Sequence, residues 1–196
     1  MIDYVEVMLV RGRGLSSAAI GYFGAGYWSH YANVVPRGAP VRFANGKRTH
    51  VAFAGDWVLD ARYDHVGGEP PGVRYRPSNY LAGEERIILR IHCLPEQARA
   101  WLAAGDSQLG KPYDARSIWA FVTGRNASRN WRNPSAWFCD ELGIWMLEQS
   151  GRLPRLPLHI NRVTPGTAYA VCGALGGTVV AHLPALIPLR PARALP

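Results

Sequence analysis

Apolar residues alternate with a period of two through the first half of the chain, and from Pro95 onward they recur with the period of a helix. YVEVMLV (about 4–10), SHYANVV (29–35), residues 50–54, DWVLDAR (56–62), GVRYR (72–76) and RIILRIH (86–92) predict strands. Helices are predicted near 15–23, from Pro95 to about Ala104, near 114–123, and over 136–150 and 165–175. Strands first and helices second predict an α+β fold, a mostly antiparallel sheet followed by packed helices. With 196 residues, 48% of them hydrophobic, and no linker or repeat, the chain is expected to form a single domain over 1–196.

Val163 to Leu189 contains no acid, Lys or Arg, yet Pro165, Pro184, Pro188, the Gly176-Gly177 pair and His182 break any uniform span. The better parse has Thr164 as N-cap, Pro165 at the first helical position, a glycine stop and the strand TVVAH. No membrane span is expected. The opening MIDYVEVMLV carries two acids and no basic segment, so no signal peptide is read there. The chain is expected to be cytoplasmic as synthesised, and an envelope target would require delivery by phage or secretion machinery.

The net charge of +8 comes from 22 basic and 14 acidic residues. Twenty of the bases are Arg, which suits planar contacts to carboxylate or phosphate. They are scattered, with no basic stripe or nucleic-acid motif, so a solvated surface is expected and no specific nucleic-acid partner. RGRGLSSAA lacks the third glycine and the Gly-Lys-Ser/Thr ending of phosphate loops and reads as a turn into a helix. The cysteines at 93, 139 and 172 form no disulfide framework.

Cys139 carries the chemical question. It lies in the first turn of a helix whose apolar stripe is Phe138, Leu142, Trp145 and Met146, and Gly143 one turn on admits a close approach. The unpaired N–H groups at a helix start favour a thiolate, whereas Asp140 and Glu141 disfavour one unless they point away. A buried space-filling Cys is the ordinary alternative. A nucleophilic Cys needs a base that a third polar group orients. His30 begins a strand face otherwise made of Ala32 and Val34, and Asp60 shares a face with Val58 on a second strand. A carboxylate there could accept the His Nδ1–H.

WSHYANVV, GDWVLDA, LGKPYDARSIWAF and WFCDELGIW, in that order, resemble the circularly permuted, NlpC-like branch of the papain-like cysteine hydrolases. That branch includes YiiX-type proteins and relatives of lecithin retinol acyltransferase. The resemblance implies a permuted papain-like fold in which Cys139 is the nucleophile, His30 the base and Asp60 the third residue, with Tyr113 of LGKPY lining the site. His65 competes with Asp60 for the third role. The sequence departs from the family in having Asp140 where a small hydroxyl is usual after the cysteine, and in Asp60 where His or Glu is commoner.

The activity implied is a cysteine amidase or endopeptidase on the peptide amides of bacterial peptidoglycan, an anionic polymer, with no cofactor. The alternatives are a lipid or small-molecule amidase, esterase or acyltransferase, with Trp28 and Tyr27 as exposed aromatics for an acyl group, and a catalytically silent binding or structural module. A metal site built from His30, Asp60 or His65, and Cys139 lacks any close ligand pair, so no metal is expected.

Overall fold

The computed structural model describes residues 2–13, 27–115, 135–156 and 163–185. The helix expected at 15–23 and nearly all of that at 114–123 lie outside these residues. Eight strands are described: β1 (Tyr4–Arg11), β2 (His30–Val34), β3 (Pro40–Arg42), β4 (Arg48–His50), β5 (Trp57–Arg62), β6 (Gly72–Pro77), β7 (Glu85–His92) and β8 (Thr178–Leu183). The helices are α1 (Pro95–Asp106), α2 (Cys139–Gln149) and α3 (Pro165–Ala174), with a 3₁₀ turn at Ser78–Leu81.

Six strands form one sheet in the order β6-β5-β2-β1-β7-β8, and every neighbouring pair is antiparallel. The fold is α+β: five strands of the sheet precede the helices laid on it, and β8 joins its edge after them. Period-two alternation sorts the side chains by face. Val5, Val7 and Leu9 of β1, Tyr31 of β2, Leu59 of β5 and Leu89 of β7 pack in one core with Trp101, Leu142, Met146, Ala168 and Cys172 of the helices. The intervening Met8, Val10, Ala32, Val34 and Val58 form a smaller cluster on the other face, beneath Leu81 and Tyr80 of the 3₁₀ turn.

The strand expected at 50–54 is replaced by a small hairpin of β3 and β4. Its turn is set at Asn45-Gly46, where the Phe43 N–H donates to Lys47 O at 2.9 Å and the Gly46 N–H to Phe43 O at 3.0 Å. An Asn-Gly pair between short strands is a strong local hairpin signal, and it ends β4 at His50. At the C-terminal end the expected caps are present. Thr164 Oγ1 accepts from the Thr167 N–H at 3.1 Å, Pro165 opens α3, and the Gly177 N–H closes it on Cys172 O at 2.9 Å.

Two features bring the chain to the candidate site. LGKPY is strapped to β6: the Val73 N–H donates to Lys111 O at 2.9 Å and the Gly110 N–H to Val73 O at 3.1 Å. Gly72 permits this approach, because a Cβ there would lie 2.3 Å from Lys111 O and its φ is +102°. The same segment then runs parallel to the entry of α2, with Tyr113 bridged to Trp137. At Gly143 a Cβ would lie 2.0 Å from Cε1 of Tyr31, so the close approach expected at this glycine is made by the ring of Tyr31, which seats α2 on β2.

Candidate active site

β2 and β5 pair at only two positions, Asn33↔Leu59 and Val34↔Val58. Toward His30 the ladder stops, and the sheet is not closed by backbone hydrogen bonds between His30 and Asp60. Into this gap the two strands deliver an imidazole and a carboxylate. His30 Nε2 lies 3.0 Å from Asp60 Oδ2, with the His side chain 12% exposed and the Asp side chain fully buried. The nitrogen facing the acid is therefore Nε2, not the expected Nδ1, and Nδ1 is left as the basic nitrogen. His65 is exposed in the β5–β6 connection, so the partner the fold gives His30 is Asp60.

Two residues that the sequence reading did not single out complete the cluster. Arg76 Nη1 donates to Asp60 Oδ1 at 2.5 Å, and its Nη2 donates to Pro70 O at 2.7 Å. The Tyr80 hydroxyl donates to Asp60 Oδ2 and lies 3.4 Å from His30 Nε2. In register, Asp60 is opposite Arg74 and Arg76 is opposite Val58, so Arg76 reaches the acid diagonally across the hairpin. Arg74 and Arg76 alternate with Val73 and Tyr75 in GVRYRP, and that pattern could have pointed to an Arg sharing the face of Asp60.

Burial alone would raise the Asp60 carboxyl, but the hydrogen bond from His30, the Arg76 charge and the Tyr80 hydroxyl outweigh it, and the acid stays below its ordinary value. For His30, burial is the largest influence and pulls the imidazole below 6.5; Asp60 opposes this, and Arg62 and Arg76 reinforce it. The base is thus presented neutral at physiological pH.

Cys139 is the first residue of α2 and is 5% exposed. The Tyr31 backbone, one residue past His30, lies beside its sulfur and favours the anion, and the Asp60 charge is near enough to disfavour it. The acids after it do not turn to solvent. Asp140 and Glu141 are both buried, and Cys139 Sγ donates to Asp140 Oδ1 at 3.5 Å. Burial first, then Asp140, raise the thiol well above its ordinary value, and burial likewise raises Asp140. Both influences work against the thiolate expected from the helix start.

Tyr113 adjoins the thiol closely enough to sense its charge, and its ring lies 5.9 Å from that of Tyr63. Trp28 is not the exposed platform expected. It is 8% exposed and packs in the helix-side core, its ring 6.5 Å from that of Tyr169 on α3, while neighbouring Tyr27 is 50% exposed. Tyr27 is held there by Arg11 at 2.6 Å and Glu85 at 2.5 Å.

Among the described residues no three His, Cys, Asp or Glu side chains converge to hold a metal ion, and Asp60 is already committed to His30, Tyr80 and a fixed cation. Nor is any described helix long and apolar enough to cross a membrane. All three cysteines are free thiols.

No family model matches the chain, and no curated protein matches it. Among solved structures the chain is similar to metalloprotein YiiX of Escherichia coli O157:H7 (DUF1105), with a TM-score of 0.49 and 20% identity. The match covers 76% of this chain and 66% of that one, a little under two thirds of the neighbour's length. The likeness lies in the course of the backbone.

Proposed function

We propose that the chain is a cysteine-dependent hydrolase of the permuted, NlpC-like papain-like type, a single domain in which Cys139 is nucleophile, His30 base and Asp60 the group that orients it. One observation carries this reading: a buried His30–Asp60 pair at 3.0 Å stands where the pairing of β2 with β5 stops, and the helix that begins with Cys139 packs on that strand beside Tyr31. The pair lies on the face of β2 and β5 beneath the 3₁₀ turn and Cys139 on the helix side, with the Asp60 charge near enough to bear on the thiol; in the proposed reading the three act together as nucleophile, base and orienting acid.

In the proposed cycle the Cys139 thiol swings from Asp140 toward His30 Nδ1 and gives up its proton as the sulfur attacks an acyl carbon. The Asp60 carboxylate accepts from Nε2–H and supports the imidazolium formed. The Cys139 N–H, at the first turn where no helical acceptor is available, donates to the oxyanion. His30 then returns the proton to the leaving amine, and water hydrolyses the thioester. Tyr113 flanks the acyl group.

The proposed substrate is an amide of the peptide stems of bacterial peptidoglycan; the family resemblance and a surface carrying a net charge of +8 support it. Incubating the full chain with peptidoglycan fragments and with an acyl-lipid panel, read by mass spectrometry, tests the proposal. Stem-peptide cleavage that is lost in Cys139→Ser is the expected result. An acyl adduct on Cys139 from the lipids alone would move the substrate class to acyl lipids. Neither product from folded protein would leave a binding module.

A further inference from the structure

We propose that Arg76 is a positioning residue of this site: its guanidinium clamps the Asp60 carboxylate from the side away from His30 and shares its charge, so that His30 is presented as a free base and not as a standing imidazolium. The inference rests on the Cys139–His30–Asp60 reading and names how that site is tuned.

The geometry divides the carboxylate between two cations. Oδ1 receives Arg76 Nη1 at 2.5 Å, while Oδ2 is left to His30 at 3.0 Å and to the Tyr80 hydroxyl. Arg76 cannot follow the acid, because its Nη2 is anchored on two main-chain carbonyls, Pro70 O of the β5–β6 connection at 2.7 Å and Gly72 O at the start of β6 at 3.3 Å. Its side chain is fully buried, and a guanidinium keeps its charge at every working pH. A buried carboxylate facing only an imidazole would hold that imidazole protonated, since opposite charges a few ångströms apart favour each other's ionised forms. A second, permanent cation on the other oxygen removes much of that pull.

The charged and titratable groups facing His30 are Asp60 and Arg62 of β5, Arg76 of β6 and Tyr80 of the 3₁₀ turn. Among the described groups Asp60 favours the imidazolium, and burial, followed by the Arg62 and Arg76 charges, opposes it. A neutral base suits this site, because the thiol it serves is itself held neutral by burial, so the proton moves at the moment of attack. A purely structural ion pair would lower stability when broken but would leave the His30 titration where it was.

The test is an NMR titration of the carbon-13-labelled histidines of the full chain, with the His30 signal identified by its loss in His30→Gln. The wild type should titrate below 6.5. In Arg76→Met the His30 midpoint should rise by about one pH unit, the lower end of the effect of an opposite charge a few ångströms away, and Arg76→Lys should restore most of it. A wild-type midpoint at or above 6.5 overturns the proposal whether or not Arg76→Met folds. An unmoved midpoint in folded Arg76→Met also overturns it. Failure of the underlying reading shows separately, in the pH profile of Cys139 alkylation: if His30→Gln leaves that profile unchanged, His30 serves no thiol and Arg76 positions nothing for catalysis.

Discussion

Asp60 and Asp140 are both buried carboxyls beside the same strand, and they are driven in opposite directions. Burial is the largest influence on each and raises each. Asp60, on the face of the sheet beneath the 3₁₀ turn, also receives His30, Arg76 and Tyr80, and these hold it ionised. Asp140, on the helix side, has the Cys139 thiol, a weak donor that cannot repay the lost hydration, and its carboxyl is raised well above the ordinary value. Burial sets the cost of a charge, and the donors arranged around it decide whether the charge survives. The candidate site therefore joins a half whose charge is supported by its donors to a half in which burial opposes ionisation.

The largest test of that contrast removes the charge from the compensated half. The buried guanidinium of Arg76 makes Asp60→Asn a costly substitution. Stranding one partner of a buried ion pair costs about 3–5 kcal/mol. Urea unfolding of Asp60→Asn should show a loss of that order, and Asp60→Asn/Arg76→Met should recover part of it. Equal stability of Asp60→Asn and wild type would mean that the pair is not compensated as described.

Next in size is the joint between the halves. Gly143→Ala would place a methyl 2.0 Å from the Tyr31 ring and force α2 away from β2. Overpacking of this kind costs about 1–3 kcal/mol, and thermal unfolding should register it. Loss of turnover beyond the loss of stability would show that the Cys139–His30 geometry depends on this seat.

The pH dependence should run oppositely for the two sides. His30 binds its proton less readily when folded than when unfolded, so its contribution is complete above 6.5 and is lost as pH falls from 6.5 through the lower folded value. Asp60, also depressed when folded, adds stability above 3.8 that disappears in stronger acid. Asp140 is raised when folded, so it costs stability increasingly as pH climbs above 3.8. Asp140→Asn should then raise the melting temperature at pH 7; a gain of about 1 kcal/mol corresponds to about 2–4 °C for a chain of this size, and the gain should shrink toward pH 4.

The smallest expected effect is on the thiol. Because Asp140 opposes its ionisation, Asp140→Asn should shift the alkylation profile of Cys139 to lower pH and leave that of Cys93 in place. Parallel shifts in both would point to a general loosening of the fold.

Sequence alone determined the sheet-then-helices order, the strands that carry His30 and Asp60, and the opening of the cysteine helix, because pleat alternation, caps and turn residues act over a few neighbours. Local signals also placed Asp60 on a face with Val58. They could not reveal that Arg76, one register step from the residue opposite Asp60, is the cation that holds it. That depends on how a hairpin twists and on main-chain carbonyls at Pro70 and Gly72. Nor could helix periodicity tell that Asp140 and Glu141 are buried: α2 lies against a sheet on a glycine seat, and its first turn is enclosed by segments far away in sequence. The same burial moved Trp28 from an imagined platform into the core. Which nitrogen of His30 meets the acid, and whether Cys139 rests as thiol or thiolate, were decided by tertiary structure alone, since both depend on desolvation and on partners from other strands.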